Sequence, residues 1–268
     1  MRHLCELFVP SRGIPLLFVT ALLTASACAP KSGGGLDDAL TSYNAGNFQA
    51  AYDKAQSSRW SGPPRDRTEA AYIGGLAATK LGRTASARTL LEQAADSSDP
   101  EIAGRAGVTL GTVLLDDGQP LQAARAFDAA AEHLEGDDLA RTRMLAGIAY
   151  RDAGYAADAR KRFDAASRGS SGDLGNRAAN EISRTGFTIQ AGAFSTRNSA
   201  VAHAETVSTA ARSRGMPSAS VIKSMRDGQV RWLVQIGNYP DRAVAQSNLN
   251  RLGGGLGKPY VTAISATN

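Results

Sequence analysis

Cysteine is nearly absent: two residues among 268, Cys5 and Cys28, leave no framework of disulfides to hold a small loop-rich fold. Histidine is almost as scarce. His3, His133 and His203 are scattered along the chain, a poor basis for a metal centre or a nucleophile–histidine triad. No apolar run reaches the roughly 20 residues that a membrane-spanning helix needs; Ile14–Ala27 stops at fourteen. A large excess of one charge is missing too, with Lys+Arg 30 against Asp+Glu 25, and 43% of the residues are hydrophobic. A disordered chain is thereby excluded, and the length suits one large or two modest domains.

The N-terminus has a positive start, Arg2 and Arg12, and then the run IPLLFVTALLTASA, too short to span but fitting the core of a secretory signal peptide. It closes on Ala25, Ser26 and Ala27 directly before Cys28. That ending resembles the lipobox of bacterial lipoproteins, which implies cleavage after residue 27 and acylation of Cys28 as the mature N-terminus. The sequence departs from the family in one respect: Ala25 stands where leucine is preferred, with Leu23 two residues earlier. Ala29, rather than an aspartate, follows the cysteine, and by the same resemblance this implies the outer membrane, facing the periplasm. Residues 28–35, including PKSGGG, form a short flexible tether.

A repeat occupies the middle of the chain. Gly46, Gly82, Gly118 and Gly154 recur every 36 residues. Five residues after each stands alanine (Ala51, Ala87, Ala123, Ala159), and seven before each stands Ala39, Gly75, Gly111 or Gly147. Nine after each lie Ala55, Leu91, Phe127 and Phe163. The pattern predicts helix–turn–helix pairs: glycine at a turn needing an unusual backbone angle, small residues letting two helices approach, and a large residue filling the gap. It resembles the tetratricopeptide repeat, an all-α stack, over residues 36–169, with Asp173–Arg184 as a closing helix and the helical domain ending at residue 185. By that resemblance the first helix of each pair lines a concave surface for a protein partner. Counting back from the glycines places Tyr72, Leu76, Thr79, Val108, Thr112, Leu115, Met144, Ile148 and Arg151 there, and Leu36, Leu40 and Tyr43 in the first pair. That describes a largely apolar groove with Arg151 and nearby Arg141 at one end.

After Arg184 the period changes. FTIQAGAF (Phe187–Phe194) alternates as a strand, with Phe187, Ile189 and Ala191 on one face and Thr188, Gln190 and Gly192 on the other. A helix over Ser195–Arg214 follows, then strands Ala219–Lys223 and Val230–Gly237 joined at Asp227-Gly228. A helix from Asp241 to Leu252 and a last strand, Tyr260–Ile264, complete the order β-α-β-β-α-β. That order predicts a small α+β domain, a four-stranded antiparallel sheet with two helices on one face. FTIQAGAF, WLVQIGNY (Trp232–Tyr239) and PYV (Pro259–Val261) in this arrangement resemble a SPOR domain over residues 186–268. The resemblance implies a non-catalytic module that binds denuded septal peptidoglycan.

The resemblance also implies that the first-strand glutamine, Gln190, contributes to glycan binding; three residues on, where the family often has serine, this chain has Ala193. In the third strand the apolar set Val230, Trp232, Val234 and Ile236 should face the helices, which leaves Arg231, Leu233 and Gln235 on the open face with Gln190. A one-residue slip near Gly228 would exchange the faces and turn Trp232 toward the sugar instead. The C-terminal region carries nine Lys or Arg against three acids, which suits an anionic or polar partner. Nucleic acid is disfavoured, because the chain carries an export signal and the sheet lacks the aromatic stacking pair of RNA-binding folds. Glu205, Asp227 and Asp241 fall on a helix, a turn and a cap, so no carboxylate pair for glycan cleavage is indicated, and no cofactor or metal is called for. The expected function is a non-enzymatic envelope lipoprotein that binds wall and recruits partners in division or wall remodelling. An outer-membrane assembly or secretion scaffold, and a regulator of a wall hydrolase, are the competing readings.

Overall fold

The computed structural model describes residues 35–226, 228–254 and 256–264. Cys28, the signal peptide over 1–27 and all but the last residue of the tether lie outside the described residues. The chain divides into two compact units, one ending at His133 and the other beginning at Leu134. The division falls inside the helical region rather than at 185/186, where the sequence changes period.

The first unit holds six helices, α1 (Gly35–Asn44), α2 (Phe48–Ser61), α3 (Pro64–Lys80), α4 (Thr84–Ala95), α5 (Pro100–Asp116) and α6 (Pro120–Ala131). The second continues with α7 (Gly136–Asp152), α8 (Ala156–Gly169) and α9 (Asp173–Ser183) before its sheet. Proline opens α3, α5 and α6, where its missing N–H costs nothing, and the Asp99 carboxylate accepts from Glu101 N–H at the start of α5.

The repeat glycines end α1, α3, α5 and α7 at φ between 70° and 86°. At each, the N–H of the following residue bonds five residues back, Asn47 to Ser42, Arg83 to Ala78, Gln119 to Leu114 and Tyr155 to Tyr150, at 2.8–2.9 Å. This is the six-to-one bond of a Schellman turn, and it needs the left-handed angle that glycine adopts without strain. Within the pairs the small and large residues interlock. A Cβ on Gly75 would lie 2.7 Å from Leu91, one on Gly111 2.5 Å from Phe127, and one on Gly147 2.6 Å from Phe163. Those three large residues and the four alanines five residues after each glycine are fully buried.

The sheet of the second unit comprises β1 (Phe187–Phe194), β2 (Ala219–Arg226), β3 (Gln229–Tyr239) and β4 (Tyr260–Ala263), antiparallel throughout in the order β2-β3-β1-β4. Two helices, α10 (Arg197–Arg212) and α11 (Arg242–Leu252), cover one face. Thr196 and Asp241 cap them, accepting from Ser199 and Val244 N–H. Ile189, Val234, Ile236 and Val261 from the sheet meet Ala200, Ala204, Val207 and Leu252 from the helices in a single core. The β2–β3 hairpin is longer than its apolar stretches suggest: Arg226 pairs with Gln229 across a two-residue turn containing Gly228 at φ 73°.

Bulges in the β1–β3 ladder correct one expectation. Gln190 pairs with Gln235, yet Gly192 pairs with Val234, so β1 carries an extra residue at Ala191. From there the alternation is reset. Gly192 turns toward the helices, where a Cβ would lie 2.7 Å from Phe194 and 3.3 Å from His203, and Ala193 turns to the open face. His203 Nε2 donates to the Ala191 carbonyl at 3.1 Å, so this histidine secures the bulge.

α8 is joined to the sheet through Arg160. One terminal nitrogen of its guanidinium lies 2.8–2.9 Å from the carbonyls of Ile182 and Thr185 and from Asn238 Oδ1. The Asn238 amide donates in turn to the Ser183 carbonyl at 2.9 Å. Only Arg184, Thr185 and Gly186 separate α9 from β1.

Candidate functional site

The helix-free face of the sheet is built by strand parity. Ile189, Val234 and Val261 are drawn into the core, so their neighbours Gln190, Gln235 and Tyr260 point the other way. Register then aligns them. Ser220 pairs with Gln235, Gln235 with Gln190, and Gln190 with Tyr260, a polar row crossing all four strands. Alongside it runs an apolar row, Ile222, Leu233 and Ala193, and beyond that Ser224 pairs with Arg231.

The row has a gradient of exposure. Tyr260 is 52% exposed at the edge, Gln190 is half-buried, and Gln235, flanked on both sides, is 9% exposed. Among the described residues, neither the Gln190 nor the Gln235 amide has a side-chain hydrogen-bond partner. Two adjacent carboxamides, each able to donate and accept, therefore line a half-apolar surface, with Gln190 partly open to solvent and Gln235 largely covered. Such a surface matches a sugar chain, whose hydroxyls need both donors and acceptors and whose C–H faces pack on an aromatic ring such as Tyr260. Arg231 is exposed, its guanidinium 3.2 Å from the Gln229 side-chain oxygen. Leu233 is half-buried.

Trp232 stands on the helix side, packed against the core, with the Arg197 guanidinium 6.0 Å from its ring centre. The hairpin keeps the regular register around Gly228, so no slip turns the indole to the open face. Tyr260 and Ser220 are site residues that the sequence reading missed. The signal for Tyr260 was its place before Val261, which parity sends inward; its position beside Gln190 depends on the β1–β4 register.

The expected partner groove is placed unevenly. In the first unit Tyr72, Leu76, Val108, Thr112 and Leu115 are half-buried along α3 and α5, and Thr79 is exposed. Burial pushes the Tyr72 hydroxyl above its ordinary range, offset in part by a hydrogen bond with Thr109. In the second unit Met144 and Ile148 are buried, which corrects their assignment to an open groove. Arg151 is taken up there as well: α9 packs on α8 and reaches α7, and Glu181 of α9 pairs with the Arg151 guanidinium.

A cleft of about 430 Å³ lies among α4, α5 and α6 in the first unit, floored by Ala103, Gly107 and Ala130, with Asp96 and His133 at its rim. Among the described residues no group of three His, Cys, Asp or Glu is placed to hold a metal ion.

The fold and its open face define a ligand-binding α+β module with a polar row across a four-stranded sheet. Its family follows from comparison with known sequences: residues 183–263 match the family model of the SPOR domain. The SPOR domain is a non-catalytic, peptidoglycan-binding module implicated in cell division. No tetratricopeptide family model matches the helical region. A search of curated proteins finds no match to the chain.

Proposed function

We propose that the protein is a non-catalytic envelope lipoprotein, anchored in the outer membrane through Cys28, that holds denuded septal glycan strands on the open face of its SPOR domain. The observation that carries the reading is the pair of adjacent amides, Gln190 beside Gln235, without side-chain hydrogen-bond partners among the described residues and set between Ser220 and Tyr260. In this reading Gln190 and Gln235 hydrogen-bond the sugar hydroxyls, Tyr260 and Leu233 receive the C–H faces, and Arg231 draws the carboxylate-bearing sugar. Sedimentation of the full chain with wall sacculi, before and after an amidase strips the stem peptides, tests it. Wild type should pellet with stripped wall and lose most of that binding on Gln190→Ala or Tyr260→Ala. Equal recovery of wild type and both variants, or no pelleting of wild type, would contradict the proposal.

The helical region is read as a tetratricopeptide-like stack that recruits a protein partner, in division or in outer-membrane assembly. The 36-residue recurrence of Schellman turns and the interlocked small and large residues support it. The half-buried apolar residues Tyr72, Leu76, Val108 and Leu115 of the first unit are the surface offered to that partner.

A further inference from the structure

Trp60, in the last turn of α2, is 79% exposed, the most exposed large apolar side chain among the described residues. Pro63 and Pro64 beside it are exposed too, so the α2–α3 turn presents an apolar tip. The Arg59 guanidinium sits 5.6 Å from the Trp60 ring centre and donates to Gln56 Oε1 at 2.7 Å. Helix α1 begins beside the same last turn of α2: a Cβ on Gly35, the first residue of α1, would be only 2.6 Å from Ser58 Oγ, two residues before Trp60. Cys28 precedes Gly35 by seven residues. At about 3.6 Å per extended residue, an anchor on Cys28 cannot lie more than about 25 Å from that point.

We propose that the α2–α3 turn is a membrane-facing edge, with the Trp60 indole seated in the interfacial layer of the bilayer that holds the anchor. This rests on reading Cys28 as the anchored residue. Tryptophan favours that layer because its ring is apolar and its N–H can stay hydrated, and the Arg59 guanidinium over the ring adds a cation at its face. One indole partitions weakly by itself. A short tether supplies the missing strength by holding it at high local concentration near the surface.

Charge selects the kind of surface. Arg59, Arg65 and Arg67 border the turn, but Asp37, Asp38, Asp66, Glu69 and Asp99 stand nearby, and Arg65 is paired with Asp99 at 3.1 Å. This is no basic patch, so attraction to anionic lipid is not the driving force. The occupant is a zwitterionic bilayer interface, entered by the ring.

The test uses the chain from Cys28 onward carrying Trp232→Phe, which leaves Trp60 as its one tryptophan and Cys28 as its one cysteine. Coupling Cys28 to a maleimide lipid in phosphatidylcholine vesicles replaces native acylation, so the outcome does not depend on it. Mass spectrometry of the membrane-extracted native protein decides acylation separately. Trp60 emission should shift to the blue on tethering and be strongly quenched by brominated phosphatidylcholine. The companion protein with Trp60→Phe and Trp232 retained should be quenched little. Trp60 that stays unquenched by brominated lipid and open to iodide overturns the inference, whether or not Cys28 is acylated. A photo-crosslinker at position 60 that captures a protein and no lipid in intact cells would overturn it as well.

Discussion

Gly111 sets two residue-scale effects against each other. Replacing a mid-helix glycine by alanine gains roughly 1 kcal/mol of helix propensity. Here the new Cβ would sit 2.5–2.8 Å from three ring carbons of the fully buried Phe127. Overpacking of that kind costs about 1–3 kcal/mol, so Gly111→Ala should lower stability despite its propensity. Adding Phe127→Leu should recover part of the loss in denaturant melts, and a double-mutant cycle would measure the coupling. Glu69 behaves differently. Burial, chiefly, raises its carboxyl pKa above the ordinary value; Asp66, Asp99 and Asp37 add to this, and Arg65 opposes it. A carboxyl whose folded pKa is raised makes the ionised folded state the costly one. That cost is present above the folded pKa and disappears as pH falls through it toward the unfolded value. Glu69→Gln should therefore raise the melting temperature at neutral pH, and the advantage should shrink as pH falls and vanish below about pH 4, where the wild-type carboxyl becomes protonated in both states.

At the scale of elements, the splice between α8, α9 and β1 determines whether the SPOR domain swings freely from the last helices. One guanidinium nitrogen serving three acceptors, with the Asn238 amide donating onward to the Ser183 carbonyl, fixes that joint. Charge-assisted hydrogen bonds of this kind contribute about 1.5–3 kcal/mol, and Arg160→Ala should destabilise the second unit by that order. Hydrogen exchange should rise at Gly186–Ile189 in Arg160→Ala and Asn238→Ala, while wall binding by the open face is kept. Loss of wall binding with unchanged exchange would show that Arg160 acts otherwise. Element borders were legible from sequence where punctuation is chemical: the repeat glycines, the Asp241 cap and the turn at Gly228 all stand where their residue types place them. The bulge at Ala191 was not legible. FTIQAGAF reads as unbroken alternation, and the extra residue arises only when β1 is matched against β3.

At the scale of the whole molecule, the proposed anchoring through Cys28 is tested apart from the C-terminal binding module. Cys28→Ala should move the protein from the membrane fraction to the soluble periplasm or leave it unprocessed; unchanged membrane association without labelled fatty acid would remove the anchor from the account. Among the described residues no helix is long and apolar enough to cross a membrane.

What the sequence determined by itself is local or periodic. Turn glycines need a left-handed angle, small residues permit close helices, and alternation divides a strand into two faces, so the helical pairs, the β-α-β-β-α-β order and the outward direction of Gln190, Arg231, Leu233 and Gln235 could be read along the chain. What the tertiary structure decided is which residues stand side by side and which are covered. Tyr260 became the neighbour of Gln190 through antiparallel register, Gly192 changed face through a bulge, and Arg151 was taken up by Glu181 on α9. Met144 and Ile148 carry the same periodic signature as Leu76 and Val108 yet are buried, because a helix's apolar face is specified by spacing while its cover is supplied by whatever packs against it.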